Sequence, residues 1–188
     1  MTWNIIQLAQ IPPSPWRNGG GVTRELAAWP SAQDWVWRIS VAEVEASGPF
    51  SCFAGVQRCF AVLHGAGVRL RFASQQLELT QASEPLSFDG ADAVDCDLLQ
   101  GATQDFNLMV RCDRSSATLR RLRAAERIVL ATGKTVAVWA NSAPVQLQAA
   151  DEALLLPAHS LAWQTLPAGT VLQVEGTDAL YLEIATWD

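Results

Sequence analysis

No stretch of this sequence carries the three-to-four-residue apolar repeat of a long amphipathic helix. Its apolar residues come instead in short runs punctuated by glycine and proline. From Ile128 onward such runs cover residues 136–139, 145–147, 153–156, 161–163, 171–174 and 180–184. They recur at roughly ten-residue intervals, the spacing of short strands joined by turns. Gly133, Pro144, Pro157, Pro167, Gly169 and Gly176 stand between them. In the first half, residues 59–63 and 68–72 read as strands joined by His64-Gly65-Ala66-Gly67, a hairpin signal. Residues 77–79, 86–88 and 98–99 suggest further strands, with Gly90, Asp89, Asp92, Asp95 and Asp97 in exposed turns. Short strands in this number pack as a sandwich or barrel, so the expected class is all-β. Two strand-rich halves predict two stacked barrel lobes in one chain, residues 1–115 and 116–188. The arginine-rich stretch 114–127 is either a linker or an edge strand.

Two strands have unlike faces. In residues 35–44, Trp35, Trp37, Ile39 and Val41 form a bulky apolar side, while Arg38 and Ser40 lie opposite among small residues. In residues 105–111, Phe106, Leu108 and Val110 alternate with Asp105, Asn107, Met109 and Arg111. Such a polar face points either to solvent or into a polar pocket, and alternation alone leaves both readings open.

The densest chemistry lies in Pro15-Trp16-Arg17-Asn18-Gly19-Gly20-Gly21-Val22-Thr23-Arg24-Glu25-Leu26. The triple glycine allows tight turns and close approach of another group. Arginine offers a planar donor fork suited to carboxylate or phosphate. A nucleotide loop is excluded, because no Gly-Lys-Ser/Thr follows these glycines, and Ile128 stands where Gly133-Lys134-Thr135 needs a leading glycine. No GxSxG nucleophile motif occurs. The two histidines, His64 and His159, lie in different halves, so no metal centre is expected, and no cofactor. An acid–base enzyme would have to use Glu25 or Glu43 as its base.

With net charge −6 and pI near 4.9, a general nucleic-acid surface is not expected. No signal-like segment or membrane-length apolar run is present, which makes the cytoplasm the expected location. The four cysteines, Cys52, Cys59, Cys96 and Cys112, form no CxxC pair and read as small buried residues. What remains is a set of anion-recognition groups. Arg17, Arg24, Arg38, Arg58 and Arg111 supply charge, and Asn18, Ser40 and Asn107 supply directed hydrogen bonds. Phe50, Phe53 and Met109 could serve as apolar walls.

These pieces together resemble the HutD/Ves family of bacterial proteins, and the HutD branch more closely. The resemblance runs in order through the motif at 15–25, then Trp37-Arg38-Ile39-Ser40-Val41-Ala42-Glu43-Val44 and Gly48-Pro49-Phe50-Ser51 with Phe53. It continues with Gly55-Val56-Gln57-Arg58-Cys59-Phe60 and Asp105-Phe106-Asn107-Leu108-Met109. It implies a cupin-like (RmlC-like jelly-roll) double barrel. It further implies a non-catalytic regulator of histidine utilisation that binds a pathway carboxylate such as urocanate or N-formylglutamate. A metal-free isomerase or hydrolase, or a Ves-type stress-linked binding protein, are the alternatives. The histidine-rich motifs of metal-binding cupins are absent. The expected ligand site is Arg58 as main anchor, with Arg17, Asn18, Ser40, Asn107, Arg38, Glu25, Phe50 and Met109. Expected partners are a small carboxylate and, as an open option, a second copy of the chain, with neither nucleic acid nor membrane.

Overall fold

Alternation and β-branched or aromatic content make nearly every apolar run a strand. The computed structural model describes residues 2–149 and 152–187. After β1 (Asn4–Gln7) comes one 3-10 turn (Leu8–Gln10), followed by β2 (Ser14–Pro15), β3 (Gly21–Trp29), β4 (Trp37–Val44) and β5 (Gly48–Pro49). Then come β6 (Val56–His64), β7 (Val68–Arg71), β8 (Gln76–Leu79), β9 (Leu86–Asp89), β10 (Asp95–Leu98) and β11 (Thr103–Arg111). The second half holds β12 (Ser115–Leu122), β13 (Glu126–Val129), β14 (Lys134–Ala140) and β15 (Val145–Ala149). It ends with β16 (Glu152–Leu156), β17 (Ser160–Leu166), β18 (Val171–Glu175) and β19 (Ala179–Thr186).

The chain divides into two units, Ile11–Ser115 and Met1–Gln10 with Ser116–Asp188. Residues 1–10, grouped by sequence with the first lobe, belong with the second half because β1 pairs antiparallel with β17, Asn4 opposite Trp163. Within the second unit of sequence, a five-stranded sheet (β1-β17-β14-β19-β12) and a four-stranded sheet (β13-β18-β15-β16) enclose one core. Val136, Val138, Leu147, Leu172, Val174 and Tyr181 fill it. The stretch expected as linker or edge strand supplies β12, at the edge of the larger sheet.

The unit Ile11–Ser115 has a six-stranded sheet, β2-β3-β4-β11-β6-β9, and a four-stranded sheet, β5-β10-β7-β8. Phe60 and Val62 from the first pack with Val68, Leu70, Leu79 and Cys96 of the second. Each unit is thus a two-sheet sandwich rather than a closed barrel. The His64–Gly67 turn closes no hairpin: β6 and β7 lie in different sheets. Gly65 and Gly67 have φ of 99° and 115°, and a Cβ on Gly67 would meet the Leu79 carbonyl oxygen at 2.4 Å. The turn carries the chain from one sheet to the other, where only glycine fits. Asp95 and Asp97, expected in a turn, sit on β10 and pair with Arg71 at 3.7 and 3.1 Å. Cys59 and Cys96 are buried as expected, whereas Cys52 and Cys112 are exposed; all four are free thiols.

Candidate functional site

The polar faces of β4 and β11 point the same way, and register stacks them into rows. Arg38 on β4 and Arg58 on β6 flank Met109 on β11. In the next row Ser40 and Phe60 flank Asn107, and in the third Ala42 and Val62 flank Asp105. The apolar faces opposite are fully buried too, with Trp37, Ile39, Phe106 and Leu108 at most 1% exposed. The choice that alternation left open is therefore settled: Arg38 and Ser40 line a cavity.

That cavity has a volume of about 760 Å³. The first two rows, continued by Ala42 and Val44 along β4, make its floor. One wall is the segment around Trp16, Arg17 and Asn18, and the other runs from Pro49 through Phe50 and Ser51 to Phe53. The first wall is held by its own hydrogen bonds. The Trp16 amide donates to the Gly21 carbonyl at 2.9 Å, and its indole Nε1 donates to Thr23 Oγ1 at 2.7 Å. Asn18 Oδ1 accepts from the Gly20 amide at 3.0 Å, so this side chain shapes the turn.

Arg58 is the most constrained group. It is 7% exposed, and Nη2 donates to Asn107 Oδ1 at 3.1 Å and Nη1 to the Ser51 carbonyl at 3.4 Å. Its guanidinium lies 4.9 Å from the Phe50 ring centre, 5.1 Å from Phe88 and 6.0 Å from Phe53. Nε is buried without a partner. Burial, and then the charge of Arg38, pull its pKa down to about 10, which still leaves it protonated at neutral pH. Because arginine only donates, it fixes the Asn107 amide with its oxygen toward Arg58 and leaves the NH₂ as a donor. Arg38 donates through Nη2 to Met109 Sδ at 3.2 Å and stacks by Trp35 and Phe53, at 5.3 and 5.9 Å. Burial lowers its pKa too, against the pull of Glu25.

Arg58, Arg38, Arg17, Asn18, Ser40, Asn107, Phe50 and Met109 all line the cavity, as do Phe53, Thr23 and Phe60. Glu25 does not. It faces the same side in register with Ser40, but the Leu26 bulge ends the inward run of β3, and its carboxylate stands 3.9 Å from Arg38. Glu43 points to the opposite face and bonds Arg24 at 3.2 Å. Neither acid proposed as a base therefore lines the cavity. Arg24 also donates to the Ile11 carbonyl, and Arg111 lies 3.8 Å from Asp34; neither lines the cavity. The Ser51 carbonyl and Phe60 were missed by sequence reasoning. A backbone acceptor has no side-chain signature, and Phe60 reads as core.

Among the described residues, three arginines and no carboxylate, imidazole or thiolate line this cavity. Such a donor set does not fit a divalent metal, which needs anionic or lone-pair ligands. It fits an anion, because a buried cation without a counter-charge is costly and an incoming carboxylate offsets that cost.

A family model described as HutD matches residues 8–182. A Pseudomonas putida relative, called an uncharacterized 21.2 kDa protein in the hutC 3′ region, is 33% identical over 94% of this chain and 88% of its own. The Ves protein of Cronobacter sakazakii is 33% identical over 85% of this chain and 86% of its own. Among solved structures, HutD from Pseudomonas fluorescens, determined in a formate condition, superposes with a TM-score of 0.86 at 29% identity over the whole of both chains. A Bacillus subtilis oxalate decarboxylase matches at TM-score 0.65 and 8% identity, covering 98% of this chain and 77% of its own, and so shares the fold alone. The architecture is cupin-like. No helix among the described residues is long and apolar enough to cross a membrane.

Proposed function

Because the chain belongs to the HutD family, we propose that it is a non-catalytic regulator of histidine utilisation that binds a small carboxylate such as urocanate or N-formylglutamate. The observation that carries this reading is the buried Arg58 guanidinium. It is oriented by Asn107, the Ser51 carbonyl and three phenylalanine rings, and it faces a cavity lined by no acid among the described residues. A carboxylate there would take the free donors of Arg58 and Asn107, with the Ser40 hydroxyl and Arg38 within the same floor. The names of the P. putida and P. fluorescens relatives support the link to histidine utilisation.

Isothermal calorimetry with urocanate, N-formylglutamate and formate tests the binding. Micromolar to millimolar affinity for at least one of them is expected, and no heat from any would reject the reading. Mass spectrometry of the same mixtures should return the acids unchanged; turnover at catalytic protein concentration would instead make the chain an enzyme.

Arg17 sits exposed on the rim and makes no ion pair among the described residues. Exposed charges contribute about 0.2–1 kcal/mol. Arg17→Ala should therefore weaken binding by no more than about fivefold and flatten its salt dependence. Calorimetry at low and high ionic strength checks both effects.

A further inference from the structure

Asp105 begins the motif that holds Asn107 and Met109, yet it does not line the cavity. It is 0% exposed. Thr103 Oγ1 donates to its Oδ2 at 2.8 Å, while Oδ1 is buried with no hydrogen-bond partner. Along β11 it is the next inward residue from Asn107, the residue that holds Arg58. A carboxyl group thus stands one row along from Asn107, beside Ala42, which itself lines the cavity.

The groups around it are few. Ala42 on β4 and Val62 on β6 face it across the sheet, and β7 and β8 bring Val68, Leu70 and Leu79 to the same interior. From β10, Cys96 lies within electrostatic range of both Asp105 and Arg58, and burial pushes its thiol up to about 12, so it stays neutral. Asp97 also acts on Cys96 but is paired with Arg71 at 3.1 Å. His64, at the end of β6 opposite Gln104, is exposed. On the inward face Arg58 and Arg38 stand two rows from Asp105, flanking Met109, with Glu25 beside Arg38. An ionised Asp105 would therefore place its charge in the same low-dielectric interior as a ligand anion held at Asn107, the next inward residue of the same strand, and repel it.

The geometry points to Asp105 as a proton switch for the pocket: a carboxylate arriving at Arg58 drives a proton onto Asp105, and affinity falls as the pH rises. This rests on the reading of the cavity as a carboxylate site. Burial raises Asp105 to about 7, against the pull of the Thr103 hydroxyl, so both of its forms are populated at neutral pH. A nearby anion favours the neutral form, so binding takes up protons. The coupling is full where Asp105 is ionised in the free protein and vanishes at pH well below 7.

Calorimetry of N-formylglutamate and formate at pH 6 to 9, in pairs of buffers with different ionisation enthalpies, tests this, because neither anion titrates in that range. For the wild type the affinity should fall by up to about tenfold, the equivalent of a one-unit rise in the Asp105 pKa on binding. Net proton uptake should accompany binding near pH 7. Asp105→Asn, which can still accept from Thr103, should bind with pH-independent affinity and no uptake. A ¹³C carboxyl titration of wild-type protein, with and without the anion, gives a reading that no variant's folding can obscure. Asp105 should titrate higher when the anion is present. Binding without proton uptake, an unmoved carboxyl titration, or a pH dependence that survives in Asp105→Asn overturns the switch and leaves the carboxylate site standing. If neither anion binds at any pH, the carboxylate reading itself fails and the switch falls with it.

Discussion

Arg58→Ala should abolish measurable carboxylate binding while the protein stays folded. Truncating one partner of a buried, hydrogen-bonded charge pair costs about 2–5 kcal/mol, which is roughly thirty- to several-thousand-fold in affinity. Among the described residues lining the cavity, Arg58 is the cation that is both nearly buried and held by an oxygen acceptor, Asn107 at 3.1 Å. Arg38 spends a donor on Met109 Sδ, and Arg17 is open to water. Stability should change little. The variant strands two acceptors, Asn107 Oδ1 and the Ser51 carbonyl, both lining the cavity, but it also removes a buried cation with an unpartnered Nε. Arg58→Lys should restore little, because a point charge cannot reproduce the planar fork between three rings. Calorimetry alongside thermal melting checks both halves, and unchanged affinity in Arg58→Ala would reject the anchor.

The second large effect concerns the triple glycine, whose three members do different work. On Gly21 a Cβ would stand 2.2 Å from the Glu43 carbonyl oxygen and 3.3 Å from Val44 Cα, both backbone atoms of the paired strand. Neither can move without parting β3 from β4, so Gly21→Ala should destabilise by about 3 kcal/mol or more. Gly19 has φ of 70° with open space around it, so alanine there costs only conformational strain, about 1–2 kcal/mol. On Gly20 a Cβ would make an ordinary contact with Asn18 Oδ1 at 3.4 Å, and Gly20→Ala should be close to neutral. Thermal denaturation of the three variants should rank them Gly21, Gly19, Gly20 in order of damage. Equal melting temperatures would show that the steric account of Gly21 is wrong.

Much of the cavity floor could be read from residue order because strand alternation projects straight onto it. Arg38 and Ser40, or Asn107 and Met109, are two apart and so must share a face. Which face was not legible, since the two sides of β4 and β11 are both buried and only the sheet pairing tells them apart. Glu25 looked equivalent to its neighbours until the Leu26 bulge ended the inward run of β3. The glycines at 65 and 67 signalled a turn but not its partner, and the strand they deliver joins another sheet. The pairing of β1 with β17 joins Asn4 to Trp163, a separation at which local pattern carries no information.

The rows that cross β4, β11 and β6 have a consequence for how relatives of this chain can diverge. A substitution at any inward position alters one tile of the floor and leaves the others in place. A single-residue insertion or deletion within residues 105–109 would instead rotate the remainder of β11 by half a period. Phe106, Leu108 or Val110 would then stand where Asn107 and Met109 stand now, and Arg58 would lose the oxygen that holds it at 3.1 Å. Gaps in lineages that retain the ligand should therefore fall outside this stretch, with changes of ligand preference accumulating in the segments 15–18 and 49–53 that form the walls.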